Sequence, residues 1–298
     1  MTDRLLADLA LARGPLRRDD DWRERPDWFG DALAAEAWAI DVDGEHLGVQ
    51  DAGLAWRPIT SADADRAALL GVGSDGLPRL AVIGATERKG RSLRLIGADL
   101  PDEDAALATT AVALAQWHAT HLCCPRCGAV TRVVKAGWAR ACEADGSEHF
   151  PRTDPAVIVL VRDPDDRALL GRRGNWPESW FSTLAGFVEA GESAEHTLRR
   201  EVAEEAGVVV DPQRLVYRGS QPWPFPGSLM LGFHAWASAG DDPTPDCDEI
   251  AEARWLSRDD LAAAASAGEV RIPPRVSIAR HLIEDWFGGE LPGDWSRP

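Results

Sequence analysis

The stretch GFVEAGESAEHTLRREVAEEAGV, residues 186–208, decides the fold class of this 298-residue chain. Its second half, residues 194–206, has the composition of a polar helix. Successive residues of a helix are rotated by about 100°. Relative to Glu201, Glu204 lies at about −60° and Glu205 at about +40° around the helix axis. The sequence therefore predicts that three carboxylates share one helix face.

Three carboxylates on one face favour the binding of a divalent cation. Without a partner they would repel one another and raise one another's pKa, and oxygen ligands at this density suit Mg²⁺ or Mn²⁺. Leu198, Val202 and Ala206 form an apolar face on which the helix can pack. An isolated segment of this kind is more often a solvated helix face, here with Arg199 and Arg200 as partners. The helix by itself leaves both interpretations open.

The residues around this helix resemble the signature of the Nudix hydrolases. Gly186 is followed after five residues by Glu192, and after seven more by the run REVAEEAGV that begins at Arg200. Every fixed position of that signature is present. The resemblance implies an α+β fold, with a Nudix α/β/α sandwich on a mixed sheet, and it implies hydrolysis of a diphosphate that is joined to another group.

The resemblance also implies which residues hold the catalytic metals. Glu201, Glu204 and Glu205 are expected to bind Mg²⁺ or Mn²⁺, together with the backbone carbonyl of Ala185. Glu204 or Glu205 is also the expected catalytic residue, because one of them would orient the attacking water. The sequence does not decide which of the two has that role.

Structural roles follow from the same resemblance for four fixed positions: Gly186, Glu192, Arg200 and Gly207. Glu192 and Arg200 are expected to brace the loop by pairing with each other, and the glycines to let it turn tightly beside the metal. One further acidic ligand usually comes from outside the motif in this family. In the segment CDEIAEARWLS, Glu249 is the expected ligand and Glu252 is the alternative.

A cysteine segment precedes the sandwich. Cys124-x₂-Cys127-Gly is half of a zinc ribbon, whose other half would be a second CxxC about fifteen residues later. Here Cys142 is followed by Asp145 where the fourth cysteine is expected, and His149 lies four residues further on. Three alternatives stay open: Zn²⁺ bound by three cysteines with Asp145 or His149, a degenerate metal-free site, or cysteines that are simply buried.

The run SQPWPFPGS, residues 220–228, distinguishes among Nudix substrates. Proline lacks an N–H group and fixes φ, so this run is a poor helix and a poor central strand. Without its context it is more typical of a surface turn whose tryptophan packs on the core. With its context it resembles the SQPWPFPxS signature of the NADH pyrophosphatase branch, which also carries a zinc ribbon and an extra N-terminal domain. A proline-locked loop presents ring faces that can stack nicotinamide or adenine at little entropic cost.

The branch resemblance implies that consecutive residues of this run line the nucleotide site: Gln221, Pro222, Trp223, Pro224, Phe225, Pro226, Gly227 and Ser228. By a weaker alignment, Phe150 is an aromatic contact, Arg94 is a substrate arginine and Ala279 is a backbone contact. Members of the branch are homodimers, so a homodimer is expected here.

Charge and hydropathy limit the other partners. The 32 basic and 49 acidic residues give a formal net charge of −17, which argues against an extended electrostatic footprint on nucleic acid. No run approaches about 18 apolar residues, and the N-terminus lacks the apolar block of a signal peptide. The sequence predicts no membrane partner and a cytoplasmic location.

We therefore predict three parts: an N-terminal NADH-pyrophosphatase-like α/β domain (residues 1–119), a zinc-ribbon-like segment (120–153) and a Nudix domain (154–298). The predicted reaction is Mg²⁺- or Mn²⁺-dependent hydrolysis of NADH or NAD⁺ to NMNH or NMN and AMP, with removal of NAD caps from RNA 5′ ends as a related activity. Two alternatives remain, a Nudix hydrolase that prefers ADP-ribose or dinucleoside diphosphates, and a catalytically silent nucleotide-binding regulator.

Overall fold

The computed structural model describes residues 4–14, 16–18, 20–84, 90–240, 242–245 and 247–295. The chain divides into two compact units. The N-terminal unit comprises Leu11–Thr153 together with Pro222–Ser228, and the C-terminal unit comprises the residues up to Ala10, Asp154–Gln221 and the residues from Leu229 onward. Within the described ranges, no helix combines the length and the hydropathy needed to cross a bilayer. The predicted three-part division stays a prediction.

The N-terminal unit contains a mixed sheet and a small antiparallel sheet. Its helices are α1 (Asp20–Arg23), α2 (Trp28–Ala34), α3 (Leu93–Ile96) and α4 (Asp102–Thr120). Its strands are β1 (Trp38–Asp43), β2 (His46–Leu47), β3 (Val49–Gln50), β4 (Gly53–Leu54), β5 (Arg57–Pro58), β6 (Ala67–Val72), β7 (Pro78–Ile83), β8 (Arg91–Ser92), β9 (Thr131–Val134), β10 (Ala139–Cys142) and β11 (Glu148–His149), and short 3₁₀ turns cover Ser61–Arg66 and Lys135–Gly137.

The larger sheet of this unit has the order β6-β7-β1-β2-β8, with β5 also paired to β1. Strands β1 and β7 are parallel, whereas the neighbouring pairs are antiparallel. Helix α4 covers the stretch rich in alanine and leucine between Glu103 and His118. Strands β11-β10-β9 form a separate antiparallel sheet, and β10 ends at Cys142.

The C-terminal unit contains a six-stranded sheet and three helices. The strands are β12 (Asp154–Arg162), β13 (Ala168–Arg173), β14 (Leu184–Phe187), β15 (Val210–Trp223), β16 (Ser228–Ala237) and β17 (Ile250–Leu256), and the helices are α5 (Ala194–Ala206), α6 (Arg258–Ala267) and α7 (Ile278–Phe287). The order is β15-β16-β12-β13-β17, and β14 pairs with β12. Strands β12 and β13, which contain the apolar runs AVIVLV and ALLG, are antiparallel.

This sheet is covered by helices on both faces. Alternate side chains of a strand point to opposite faces. Val157 and Val159 of β12 belong to one buried cluster with Leu198 of α5, whereas Leu160 of β12 belongs to another with Leu282 of α7. The predicted α/β/α sandwich is therefore confirmed.

Helix α5 begins after a serine cap and ends at a glycine cap. The Ser193 side chain accepts a hydrogen bond from the His196 N–H at the helix N-terminus. Gly207 ends the helix with φ of +67°, a left-handed conformation that favours glycine. A Cβ atom at Gly207 would also come within 2.0 Å of Thr244 Oγ1. Both the backbone conformation and the close packing against Thr244 thus require glycine at position 207.

The proline-rich run behaves differently in its two halves. Strand β15 continues through Ser220, Gln221 and Pro222 to Trp223. It lies at the edge of the sheet, the position in a sheet to which prolines are mostly confined. The run is thus not a central strand, as expected, but its first half is an edge strand rather than a turn.

Candidate active site

Gly186 allows α5 to place Glu201 against strand β14. A Cβ atom built on Gly186 would lie 1.8 Å from Glu201 Cδ and 2.0 Å from its Oε1. No side chain larger than hydrogen fits while the carboxylate keeps this position. The glycine is therefore required by the close approach of Glu201.

Glu192 and Arg200 form the predicted brace. Arg200 Nε donates to Glu192 Oε1 at 2.8 Å and Arg200 Nη2 donates to Glu192 Oε2 at 2.9 Å, a two-pronged contact. Thr197 Oγ1 donates to Glu192 Oε2 at 2.8 Å. These hydrogen bonds, that from Arg200 above all, hold the pKa of Glu192 at about 2. The loop before α5 is thereby fixed to the first turns of the helix.

Arg200 also contacts two of the three glutamates on the acidic face. Its Nη1 donates to Glu201 Oε1 at 3.0 Å and to Glu204 Oε2 at 2.9 Å. Among the described residues, the one group of three or more potential ligands whose ligating atoms all lie within 4.8 Å of one another is in the cysteine segment. The ligating atoms of the glutamates are therefore further apart than those of the cysteine segment. Arg200 supplies part of the charge that compensates the carboxylates.

Glu205 differs from its two neighbours on the helix because its side chain is buried. It is 3% exposed, and its Oε2 atom has no hydrogen-bond partner. Burial raises the pKa of Glu205 to about 8, and the charges of Glu201 and Glu249 add to the effect while Arg173 opposes it. Burial likewise raises the pKa of Glu201, again with a contribution from Glu249.

A buried carboxylate oxygen without a donor is costly unless a cation compensates it. Nearby oxygen ligands of the same charge are what Mg²⁺ and Mn²⁺ prefer. The donor set of Glu201, Glu205 and Glu249, with Glu204 exposed at its margin, therefore fits a divalent metal. A backbone hydrogen bond also joins Ala185 to Glu205. Ala185, whose carbonyl is a predicted metal ligand, therefore lies at the carboxylate cluster.

The geometry favours Glu249 over Glu252 as the additional acidic ligand. The charge of Glu249 acts on both Glu201 and Glu205. Glu252 instead lies 3.4 Å from Arg172 Nε and 2.5 Å from Arg254 Nε, and these arginines lower its pKa despite partial burial. The Glu252 carboxylate thus forms ion pairs with both arginines.

Arg173 is a site residue that the sequence analysis missed. It lies at the end of β13, its Nη2 is 3.7 Å from Glu249 Oε2, and its charge opposes the rise in the Glu205 pKa. A cation here can neutralise a phosphate oxygen that approaches the carboxylates. The only sequence signal is the pair Arg172 and Arg173 at the end of a short apolar run, which does not by itself indicate a functional site.

Three predicted substrate residues lie together in the N-terminal unit. The Trp223 and Phe225 ring centroids are 5.0 Å apart in an edge-to-face arrangement. Arg94 Cζ lies 3.9 Å from the Phe225 centroid and 5.5 Å from that of Trp223. Arg94 Nε donates to Glu45 Oε2 at 3.0 Å. The arginine therefore covers one side of the aromatic pair and is itself oriented by a carboxylate.

The other predicted substrate residues of the N-terminal unit differ in exposure. Pro224 is buried, Pro222 and Pro226 are exposed, and Gly227 and Ser228 are half-buried. Phe150 is 59% exposed, and Lys135 Nζ lies 5.9 Å from its ring centroid. Phe150 therefore presents an open ring face on the N-terminal unit.

The side chain of Gln221 holds the chain before α7. It is fully buried, its Nε2 donates to Val276 O at 3.0 Å and its Oε1 accepts from the Ile278 N–H at 2.9 Å. Both ends of the amide are thus engaged by the backbone next to Ala279, itself buried. The resemblance implied a substrate contact, whereas this geometry makes the Gln221 side chain a positioning group for the segment that contains Ala279.

The cysteine segment contains two matching turns. Residues 124–128 and 142–146 each end in a glycine with positive φ whose N–H donates to the carbonyl of the first cysteine, at 2.9 Å for Gly128 and 3.0 Å for Gly146. In the first turn the second ligand position is Cys127, and in the second turn it is Asp145. The fold of the second turn is thus that of a zinc knuckle, with a carboxylate in place of a thiol.

Four potential ligands meet at these turns: Cys124, Cys127, Cys142 and Asp145, whose ligating atoms all lie within 4.8 Å of one another. The sulfur atoms of Cys127 and Cys142 are 3.5 Å apart. His149 does not belong to this group; its Nε2 is 3.2 Å from Ser147 Oγ, which in turn is 2.5 Å from Asp145 Oδ1. The donor set fits Zn²⁺, and of the two residues left open for the fourth position the structure favours Asp145.

Comparison with known protein families gives one match in the C-terminal part of the chain and one match in the cysteine segment. Residues 152–276 match the NUDIX domain, and residues 119–150 match the NADH pyrophosphatase zinc ribbon domain. The chain is 44% identical over 235 residues to the NAD-capped RNA hydrolase NudC of Mycobacterium tuberculosis (strain ATCC 25618 / H37Rv), covering 76% of this chain and 72% of the relative. It is 38% identical to the human NAD(P)H pyrophosphatase NUDT13, mitochondrial, covering 67% of this chain and 60% of that protein.

Solved structures give matches over a shorter part of the chain. A NUDIX hydrolase from Nitrosomonas europaea aligns with a TM-score of 0.43 and 19% identity, covering 58% of this chain and 95% of that one.

Proposed function

The chain belongs to the Nudix hydrolases that carry an NADH pyrophosphatase zinc ribbon, and on that premise we propose that it hydrolyses the diphosphate of NADH and NAD⁺ to NMNH or NMN and AMP. The observation that carries this proposal is the buried carboxylate of Glu205, whose Oε2 has no donor and which lies within the fields of Glu201 and Glu249. Such a group suits a metal-assisted reaction and is costly otherwise.

Each side chain has a definite part in the proposed reaction. Glu201, Glu205 and Glu249 would hold Mg²⁺ or Mn²⁺, with the Ala185 carbonyl as a further ligand, and a metal held there would neutralise phosphate charge and lower the pKa of water. Glu204 is exposed at the margin of the cluster, so its carboxylate is free of the buried ligand positions and orients the attacking water. Glu192 and Arg200 keep this helix face in place.

The positive charge of Arg173 is proposed to act on the substrate phosphate. It lies beside Glu249 and faces the position where a phosphate that approaches the carboxylates gains negative charge. On the N-terminal unit, Arg94, Trp223, Phe225 and Phe150 supply ring faces and a cation for a nucleotide ring. Gln221 fixes the segment that contains Ala279.

A substrate panel tests the proposed function. We expect purified protein with Mg²⁺ or Mn²⁺ to show a higher kcat/KM for NADH or NAD⁺ than for ADP-ribose or diadenosine diphosphate, with products separated by chromatography. A clear preference for ADP-ribose would replace the proposal with a related Nudix specificity. Binding of NADH without turnover in either metal would make the chain a silent nucleotide-binding regulator.

Removal of the NAD cap from RNA breaks the same diphosphate bond, and we include it in the proposed function. The relative from Mycobacterium tuberculosis is named for this activity. The net charge of −17 gives an RNA body little electrostatic attraction, so recognition centres on the cap. A homodimer and a cytoplasmic location remain predictions.

We also propose that the knuckle turns bind one Zn²⁺ per chain through Cys124, Cys127, Cys142 and Asp145. Replacing Asp145 by alanine is expected to lower zinc retention by at least about tenfold, because a closed structural site uses four ligands. The His149→Ala variant is the matched control and is expected to retain the metal. Elemental analysis after dialysis against a chelator measures both, and equal zinc content in the two variants would contradict the assignment of Asp145.

A further inference from the structure

Three tryptophans form a half-exposed cluster in the C-terminal unit, and none of them has a role in the site described above. Trp176 and Trp180 lie between β13 and β14, and Trp295 lies near the end of the chain. The Trp295 centroid is 4.7 Å from that of Trp176 and 5.2 Å from that of Trp180. All three are half-buried. The cluster therefore keeps part of its aromatic surface open to solvent.

The backbone holds this cluster in a fixed arrangement. The Trp176 N–H donates to Arg173 O at 3.0 Å. The residues on either side of Trp180 pair with Arg271, because the Arg271 N–H donates to Ser179 O at 2.6 Å and the Phe181 N–H donates to Arg271 O at 3.0 Å. The backbone at Trp176 and Trp180 is thus fixed, which reduces the entropy lost when a ligand stacks on their rings.

One arginine connects the tryptophan cluster to the catalytic carboxylates. Arg173 Cζ is 6.0 Å from the Trp176 ring centroid, and Arg173 Nη2 is 3.7 Å from Glu249 Oε2. A nucleotide whose phosphate reaches the carboxylates and Arg173 can therefore place its base near Trp176. This continuity distinguishes the cluster from tryptophans elsewhere on the surface.

A cavity in the same unit is lined by residues that neighbour the cluster in the chain or through backbone hydrogen bonds. It has a volume of about 490 Å³ and is lined by Arg271, Gly293, Asp294 and the end of α6. Arg271 pairs with the backbone around Trp180, and Asp294 precedes Trp295 in the chain. Cavities of this size accept small organic ligands.

We propose that the cluster of Trp176, Trp180 and Trp295 stacks the adenine base of the AMP half of the dinucleotide. This inference rests on the proposed function and names the subsite of the departing nucleotide. A purine presents a fused two-ring surface that matches an indole face. The nicotinamide ring of NAD⁺ carries positive charge, which Arg173 disfavours, whereas adenine is neutral.

Calorimetric titration with AMP and with NMN, each in the presence of Mg²⁺, tests this subsite without turnover. Since stacking on an aromatic side chain contributes about tenfold or more to affinity, we expect Trp176→Leu and Trp295→Leu each to weaken AMP binding about tenfold. Binding of NMN is expected to change less than about twofold. Trp176→Phe retains a ring and is expected to restore most of the AMP affinity.

The matched control is Trp236→Leu, which removes a half-buried indole of the same unit whose ring contacts Arg162 and Arg214 instead of the cluster. Unchanged AMP affinity in Trp176→Leu, or equal losses for AMP and NMN, would overturn the subsite and assign the cluster a structural role. Thermal melting of each variant verifies that it is folded. A wild-type protein that binds AMP but does not hydrolyse NADH would instead overturn the proposed function.

Discussion

Replacing Glu205 by glutamine is expected to lower NADH hydrolysis by about 10³-fold and, in the absence of metal, to make the protein more stable at neutral pH. The loss of activity follows because the amide carries no charge for Mg²⁺ or Mn²⁺. The gain in stability follows because the buried carboxylate has an oxygen without a donor. A change that removes activity and stabilises the fold is typical of a group retained for function.

The pH dependence follows from the raised pKa of Glu205. It is about 8 in the folded chain against an ordinary value of 4.5, so the folded state binds the proton more tightly than the unfolded state. The contribution of this group to stability is fully present below pH 4.5 and is lost as the pH rises to about 8. The difference between Glu205→Gln and wild type should therefore grow over this range, to the order of a few kcal/mol.

Glu204→Gln is the matched control for this prediction. Glu204 lies one residue earlier on the same helix but is exposed, so its replacement should lower turnover without stabilising the metal-free protein. Thermal melting of both variants with a chelator, at several pH values between 5 and 8, measures the difference. Near-normal turnover in both variants would contradict the metal assignment, and equal melting temperatures at pH 8 would contradict the burial of an ionised Glu205.

The second large effect is expected from Gly186→Ala, which should lower turnover by about 100-fold while leaving the fold nearly as stable. The added Cβ would lie 1.8 Å from Glu201 Cδ, so the carboxylate has to move away. The atom that must move is the end of a flexible side chain, which makes the cost in stability small. Displacing a catalytic group by about 1 Å is enough to lose about two orders of magnitude in rate.

Gly289→Ala is the matched control for Gly186→Ala. A Cβ at Gly289 meets no atom within 4 Å, and this glycine has no positive φ. The control is expected to keep the activity of the wild type. Steady-state kinetics and thermal melting of the two variants measure the contrast. Full activity in Gly186→Ala would show that Glu201 does not need its position beside β14.

Much of the fold and of the site could be predicted because the decisive signals are local in the sequence. The helix face of Leu198, Val202 and Ala206 follows from helical periodicity, and all three side chains are fully buried. The pairing of Glu192 with Arg200 follows from a family signature, and in the structure Arg200 Nε lies 2.8 Å from Glu192 Oε1. The glycine after each knuckle turn indicates a tight turn with positive φ, as found at Gly128 and Gly146.

The features that were missed depend on contacts between residues far apart in the sequence. Nothing near Arg173 indicates that it lies beside Glu249, because β13 and β17 are brought together only by the sheet. The proline-rich run does not reveal that the Gln221 amide binds the backbone of Val276 and Ile278. Local periodicity likewise places three glutamates on one face but not the depth at which Glu205 is buried.

The central claim is that this chain cleaves the diphosphate of a nicotinamide dinucleotide with the carboxylates of α5. The most direct test is ³¹P NMR of NADH incubated with the protein and Mg²⁺ or Mn²⁺, in parallel with Glu205→Gln. We predict that the wild type replaces the diphosphate resonances by those of two monophosphates in equal amounts, identified as NMNH and AMP, and that Glu205→Gln does so about 10³-fold more slowly. Persistence of intact NADH with folded, metal-supplied wild-type protein would contradict the account.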